Sequence, residues 1–414
     1  MAVNLLTPIL STRTRSINFF NGRLLAGEDL TTEQQSNRVA HTLLGQANGD
    51  GVVYGLEVAE SAQSSTTAVP VLTISQGLAI NRNGAALLLD SDTDVGLIRP
   101  ASGATATTSI FGECTPVETG PYVAGAGVYM LTVGPATGSQ GLAQVSGTDT
   151  AQAPCNTKYN VQGVQFRLVA IDAKLMGLAD FSDVDHLRSY VAYQCFGAAD
   201  WNNWRDNPFD MPGQQFGVAD ALRSKQVLTD CEVPLAVLFW TADGLQFVDM
   251  WAVRRRVVRS SLIEDLPLWV GDRRISEAEA MFLQFQDQLN DLRENEPDLT
   301  AVMAGDHFVY LPPVGLLPAY GVGGVPGFTY QTFFKGQAYH KPVYVEGAMI
   351  QPIIRTALKY DPVNLTKGEA VRVYEIVDRA KPLPYVIFTS VYVPFEGEPR
   401  FDVSAWNFSN FSLA

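Results

Sequence analysis

The chain has 414 residues, more than one hydrophobic core usually supports, and with 46% hydrophobic residues it is too apolar to remain disordered. Charged residues make up only 17%, and 29 Lys and Arg face 43 Asp and Glu, a net charge of −14 that repels phosphate backbones and excludes nucleic-acid binding outside a locally basic patch. So few Glu, Lys and Arg also exclude a long helical bundle; the many Gly, Tyr and Phe point to a mainly β chain with sandwich- or barrel-like domains.

Residues 1–47 read as an extended segment with a turn at Asn21-Gly22, followed by a helix. Thr31 and Gln34 have the spacing of a capping box, and Gly45 lies near the far end. Leu30, Val39, Leu43 and Leu44 are the apolar contacts of an otherwise polar helix, which must lean on a neighbour. Phe19, Phe20, Leu24 and Leu25 are more large apolar residues than such a helix covers. They form a candidate assembly interface, with Arg23 placed to reach a carboxylate or carbonyl of an adjoining chain. The alternative is that both phenylalanines plug the first β-domain.

Residues 48–270 read as a β-rich domain with long loops. Short strands are predicted over 52–58, 69–75, 77–80 and 85–89, then 128–133 and 161–171, with loops of small residues at 101–126 and 135–153. Asp243-Gly244 between two apolar runs predicts a hairpin of strands 233–241 and 245–253. The loop 201–216 carries Trp201 and Trp204 beside amides, a candidate for stacking on sugar rings or for packing on its own domain. The arginine cluster at 253–259 is expected to pair with carboxylates of a neighbouring subunit.

A helical segment follows at 271–310. The clearest helix is 276–293, with Ser276 and Glu279 as capping box. Ala278, Phe282, Phe285, Leu289 and Leu292 form a stripe that either joins a second chain or packs on its own domain. Phe282, Phe285 and Leu289 are therefore further candidates for the assembly interface. The Gly- and Pro-rich stretch 311–327 reads as a linker, and 328–414 as a C-terminal β-domain with strands near 341–347, 370–377 and 385–393.

No catalytic constellation emerges. His41, His186, His307 and His340 lack a second ligand at metal spacing, no serine or cysteine sits in a nucleophile motif, and the glycine runs lack the Lys-Ser/Thr of a phosphate loop. No enzyme activity, metal or cofactor is expected. Cys114 and Cys155 are open to a bridge, with buried free thiols the alternative for all four cysteines. The N-terminus lacks an apolar signal region and no apolar run spans a bilayer, so cytoplasmic synthesis without a signal peptide or membrane insertion is expected.

The stretch Asn18-Phe19-Phe20-Asn21-Gly22-Arg23-Leu24-Leu25, continuing through Asp29-Leu30 and Glu33-Gln34 to Gly51-Val52-Val53-Tyr54-Gly55-Leu56-Glu57-Val58, resembles a recurrent bacterial module. That module belongs to proteins encoded with phage-tail-like contractile injection systems and to some phage baseplate and fibre-attachment proteins. A second similar patch runs from Leu228 through Val233-Pro234-Leu235 to Trp251 and Arg254-Arg255. Where those proteins carry a histidine-rich stretch, this chain has only His41 before Leu43-Leu44-Gly45. The resemblance covers residues 16–90 and 160–260. It implies a structural subunit of a contractile injection particle, at the baseplate or periphery, partnered by other subunits, homo-oligomeric, and released outside the cell as part of a particle. The alternative is a fibre-like or carbohydrate-binding module using Trp201 and Trp204.

Overall fold

The structure is a computed structural model that describes residues 16–62, 70–97, 127–144, 155–181, 186–197, 217–258, 272–322, 326–378 and 381–393. Its first element is helix α1 (Gly27–Asn48). The helix begins four residues ahead of Thr31. Asp29 accepts the Ala26 amide at 3.0 Å and ties the first turn, while the Thr31 hydroxyl, inside the helix, donates back to the Gly27 carbonyl.

Two small antiparallel sheets follow. β1 (Gly51–Gly55), β4 (Gly77–Ile80) and β5 (Ala86–Leu89) form one in the order β1–β4–β5. β2 (Val58–Glu60), β3 (Val71–Ile74) and β6 (Thr93–Gly96) form the other in the order β2–β3–β6. The run 52–58, predicted as one strand, is two, because Leu56 turns with φ 55° and sends the chain from one sheet to the next. Arg254 holds that corner by donating to the Leu56 carbonyl at 2.7 Å and to that of Gly55.

The central sheet has the order β10–β9–β7–β8, built from β7 (Gly127–Gln144), β8 (Cys155–Ile171), β9 (Val233–Thr241) and β10 (Gly244–Asp249). β9 and β10 form the predicted hairpin, with Thr241 opposite Gly244. β7 continues past Val133 into the small residues expected to be loop, because β8 pairs with it from Val128 opposite Ile171 to Gln144 opposite Cys155. Ladder bonds define a strand that its side chains do not announce. Side chains of β7 alternate between two cores. Val128 and Met130 face helices α2 (Leu187–Phe196) and α3 (Gly217–Ser224), whereas Tyr129, Leu131 and Val133 face the two small sheets.

Helix α4 (Asp272–Asn295) is the spine of the molecule. Ser276 is not its cap but lies a turn inside it, 2% exposed. Met281 belongs to the core under α2, Phe285 and Leu289 to a C-terminal core, and Phe282 packs on yet another. The Phe285 ring has those of Phe308, Phe388 and Phe333 around it, at centroid distances of 5.0, 5.3 and 6.5 Å.

Beyond α4, β11 (Tyr310–Leu311) pairs with β14 (Val363–Asn364). β12 (Val314–Pro318), β16 (Lys381–Thr389), β15 (Arg372–Asp378) and β13 (Val343–Glu346) form a sheet in that order, β13 parallel to β15. Two short helices, α5 (Tyr330–Phe333) and α6 (Ile350–Ala357), lie among these strands. Leu317, Val373 and Phe388 face α4, and Tyr374, Ile376 and Ile387 face α6. The expected linker 311–327 therefore holds a strand instead. β12 is an edge strand, where prolines cost no ladder bond, and Val314 and Leu317 are fully buried.

Candidate functional site

The first residues described form an arm whose apex is tied by its own polar groups. The Arg23 guanidinium donates to the Asn18 carbonyl and to the Asp29 carboxylate, both at 2.8 Å, and the Ile17 amide donates to Glu33 at 3.0 Å. The Ala26 amide, then Arg23, holds the Asp29 carboxyl below its ordinary value. Arg23, expected to reach an adjoining chain, is thus engaged at home, because the turn at Asn21-Gly22 brings it back over the helix start. The effect is to fix the backbone of the turn that carries the apolar side chains beside it.

Those side chains face solvent. Phe19 is 54% exposed, Phe20 63%, Leu24 93% and Leu25 53%, and α1 behind them has no buried residue. The alternative that both phenylalanines plug the first β-domain is thereby removed. The arm meets the body at its last turn, where Gln46 donates to the Asn83 carbonyl at 3.3 Å. Gly45 and Gly84 (φ 80°) also touch there so closely that a Cβ on either would overlap the other segment's backbone. Farther along, Gln34 and His41 face Lys158 and Asn160 of β8 across an open groove of about 480 Å³.

The other sequence candidates fall elsewhere. Phe285 and Leu289 lie wholly inside the chain's own core and Phe282 is partly buried against it, so the α4 stripe is not part of an exposed assembly surface. Trp201 and Trp204 lie outside the described residues. Arg254, Arg255 and Arg256 of the cluster at 253–259 find partners within the chain, and Arg259 lies outside the described residues. Arg254 holds the Leu56 corner, Arg255 donates to the Trp251, Ala252 and Arg254 carbonyls, and Arg256 pairs with Glu279. Apart from Glu279, these partners are backbone carbonyls far away in sequence or in a tight turn, which no charge count reveals. Cys195 is a buried free thiol, pushed up to about 12 by that burial. Cys231 is disulfide-bonded, contrary to the free-thiol alternative, and the side chains of Cys114 and Cys155 lie outside the described residues.

Two polar nodes missed by sequence reading hold the body together. In the first, Asp220 of α3 accepts from Arg273 at 2.6 Å, Arg82 at 2.9 Å and Arg223 at 3.2 Å. Burial alone would raise its pKa; the three guanidiniums overcome that and hold it at about 2. Arg273 also donates to Glu277, and a cavity of about 80 Å³ lies among these groups. In the second, Asp249 accepts from Arg188 at 2.9 Å, Gln284 at 3.0 Å and the Ala252 amide at 3.0 Å, while Asp287 and Asp291 take the other guanidinium nitrogens. Each node joins strand ends to α4. Both draw their partners from within the chain; in the first, Arg223 Nε and Glu277 Oε2 are buried without a hydrogen-bond partner.

Fold and surface together define a mainly β chain of several sheets, pinned by one long helix, that presents an exposed apolar arm. Among the described residues no helix is long and apolar enough to cross a membrane, and no three His, Cys, Asp or Glu side chains are grouped to hold a metal ion. No protein-family model and no curated protein matches the chain. Among solved structures it is similar to a chain of the type VI secretion system TssK-TssF-TssG baseplate subcomplex determined by cryo-electron microscopy. The match has 8% identity, covers 68% of this chain and 72% of that one, and has a TM-score of 0.24. A score that low establishes neither a common fold nor a common role.

Proposed function

We propose that the chain is a non-catalytic structural subunit of a phage-tail-like contractile injection particle, seated at the baseplate or the periphery, and that residues 16–47 are the element that docks it to other subunits. The observation that carries the reading is the arm itself. Four large apolar side chains are exposed beside a helix of 22 residues in which no residue is buried and whose last turn touches the body. Most of a helix's stability in a protein comes from packing of a face rather than from propensity. Burying each Phe or Leu at a contact stabilises it by roughly 1.5–3 kcal/mol. The same residues carry the sequence resemblance to injection-system proteins, which is why this class of partner is favoured over an unrelated one.

The test is incorporation. Full-length protein and a chain beginning at residue 48 are each expressed with the remaining particle components, and purified particles are analysed by quantitative mass spectrometry. The shortened chain should keep the wild-type melting transition yet be missing from particles. Normal incorporation without the arm, or loss of folding in the shortened chain, would refute the assignment.

A further inference from the structure

The ladder between β7 and β9 ends at Val133, and β7 runs on with β8 alone, as a two-stranded ribbon, to Gln144 opposite Cys155. Among the described residues β8 is the last strand of its sheet, so alternate residues along it turn their amide and carbonyl groups outward. The groove of about 480 Å³ lies on this edge. One wall is the face of α1 that carries Gln34, Asn37, Arg38 and His41 at i, i+3, i+4, i+7 spacing; the other is Lys158, Tyr159 and Asn160. Successive strand residues point to opposite faces, so three in a row line one groove where it meets the strand's edge. Gln140 and Ser139, the β7 partners of Tyr159 and Asn160, take no part in the lining. The Lys158 ammonium lies 5.0 Å from the centre of the Tyr159 ring, turned across that same edge.

The charge in the groove is one-sided. Arg38, His41 and Lys158 stand there with three amide side chains, and among the described residues no carboxylate lines it, although the chain as a whole carries a net charge of −14.

We propose that the groove takes an extended acidic segment of another protein, which adds to β8 as a strand and sets its carboxylates against Arg38 and Lys158. The backbone of that segment meets the outward amides and carbonyls of β8, and a third strand supports a ribbon that is marginal with two. Charge selects which strand enters. A lysine on a sheet edge deters pairing with a like edge, so β8 of a second copy is disfavoured, whereas a strand bearing carboxylates is attracted. A nucleic acid or an acidic polysaccharide has the charge but cannot form the ladder. The inference goes beyond the docking role of the arm, since it uses the side of α1 that faces β8 and leaves Phe19, Phe20, Leu24 and Leu25 free for other contacts.

Fluorescence anisotropy with the full chain and a labelled peptide of alternating Glu and Val tests it. The peptide should bind saturably, and its counterpart with Lys in place of Glu should not. Arg38→Ser/Lys158→Ser should weaken binding about tenfold or more, with the melting of the body unchanged because both side chains line an open groove. Strand addition is read with two further peptides, N-methylated at every Glu or at every Val. At least one should lose binding by a similar factor, because one set of amides must face β8. No binding of the Glu peptide, equal binding of the Lys peptide, indifference to the double substitution, full binding by both methylated peptides, or preference for polygalacturonate over the peptide would each overturn the proposal. The two readings fail separately. A chain that ignores the peptide but still needs residues 16–47 for incorporation sinks the groove alone, and a chain that binds it yet enters particles without the arm sinks the docking role alone.

Discussion

Asp220→Asn removes one buried charge and little volume, leaving three guanidiniums around an amide. The carboxyl is held at about 2 against an ordinary 3.8, worth about 2 kcal/mol of stability at neutral pH. Breaking a buried ion pair by removing one partner costs about 3–5 kcal/mol. Arg82 also lies near Asp50 and Asp230, and Arg273 keeps Glu277, so some compensation remains and about 3 kcal/mol is expected. Urea unfolding at pH 7 measures this as a lower midpoint with an unchanged slope. The sign with pH follows from the depressed pKa. The wild-type advantage is complete above pH 4 and lost as pH falls through 2, so at pH 3 the gap between the proteins should have narrowed by about 1 kcal/mol. The variant has no carboxylate to titrate there. A gap under about 1 kcal/mol at pH 7, or one that does not narrow at pH 3, would mean the guanidiniums are satisfied without Asp220.

Three further outcomes are expected. Phe285→Ala should destabilise the protein by about 3–5 kcal/mol in the same urea assay, since four rings meet there and the cavity left cannot close; near-neutral behaviour would show the ring cluster to be loose. Gly84→Val places a branched side chain at φ 80° against the Thr42 carbonyl and should detach the last turn of α1. Tryptic cleavage after Arg38 should then accelerate while the melting temperature of the body holds, and unchanged cleavage would show that α1 is anchored elsewhere. Cys195 should resist iodoacetamide in the native protein and react after denaturation, as peptide mass spectrometry would record, because burial keeps its thiol protonated; rapid native labelling would show the α2 core to be open.

Periodicity exposed the elements that carry their own pattern. The β9–β10 hairpin and the α4 stripe were legible because Asp243-Gly244 and the apolar steps of four and three are local signals. Elements held by distant partners were not. The far half of β7 is made of residues with little β preference and exists through β8, and β12 hides among prolines because it lies at a sheet edge. Cap spacing misplaced both long helices. Thr31 and Ser276 have the right neighbours, yet Asp29 ties the start of α1, and Ser276 is turned into the cavity beside Glu277. The arm itself was visible as a surplus of large apolar residues over the surface available to cover them. The nodes at Asp220 and Asp249 were invisible, because their partners come from segments as much as 138 residues apart.

That separation has a consequence on the ribosome. Arg82 emerges long before Asp220, and Arg273 follows Asp220 by 53 residues. At synthesis rates of about 5–20 residues per second, the third guanidinium arrives roughly 3–10 s after the carboxylate it completes. During that interval the nascent chain can form the Arg82–Asp220–Arg223 contact but lacks α4, the helix that joins the cores. Until then the core beneath α2 lacks Ala280 and Met281 of α4, so a pause or truncation in this stretch is where a chaperone would find the most to bind.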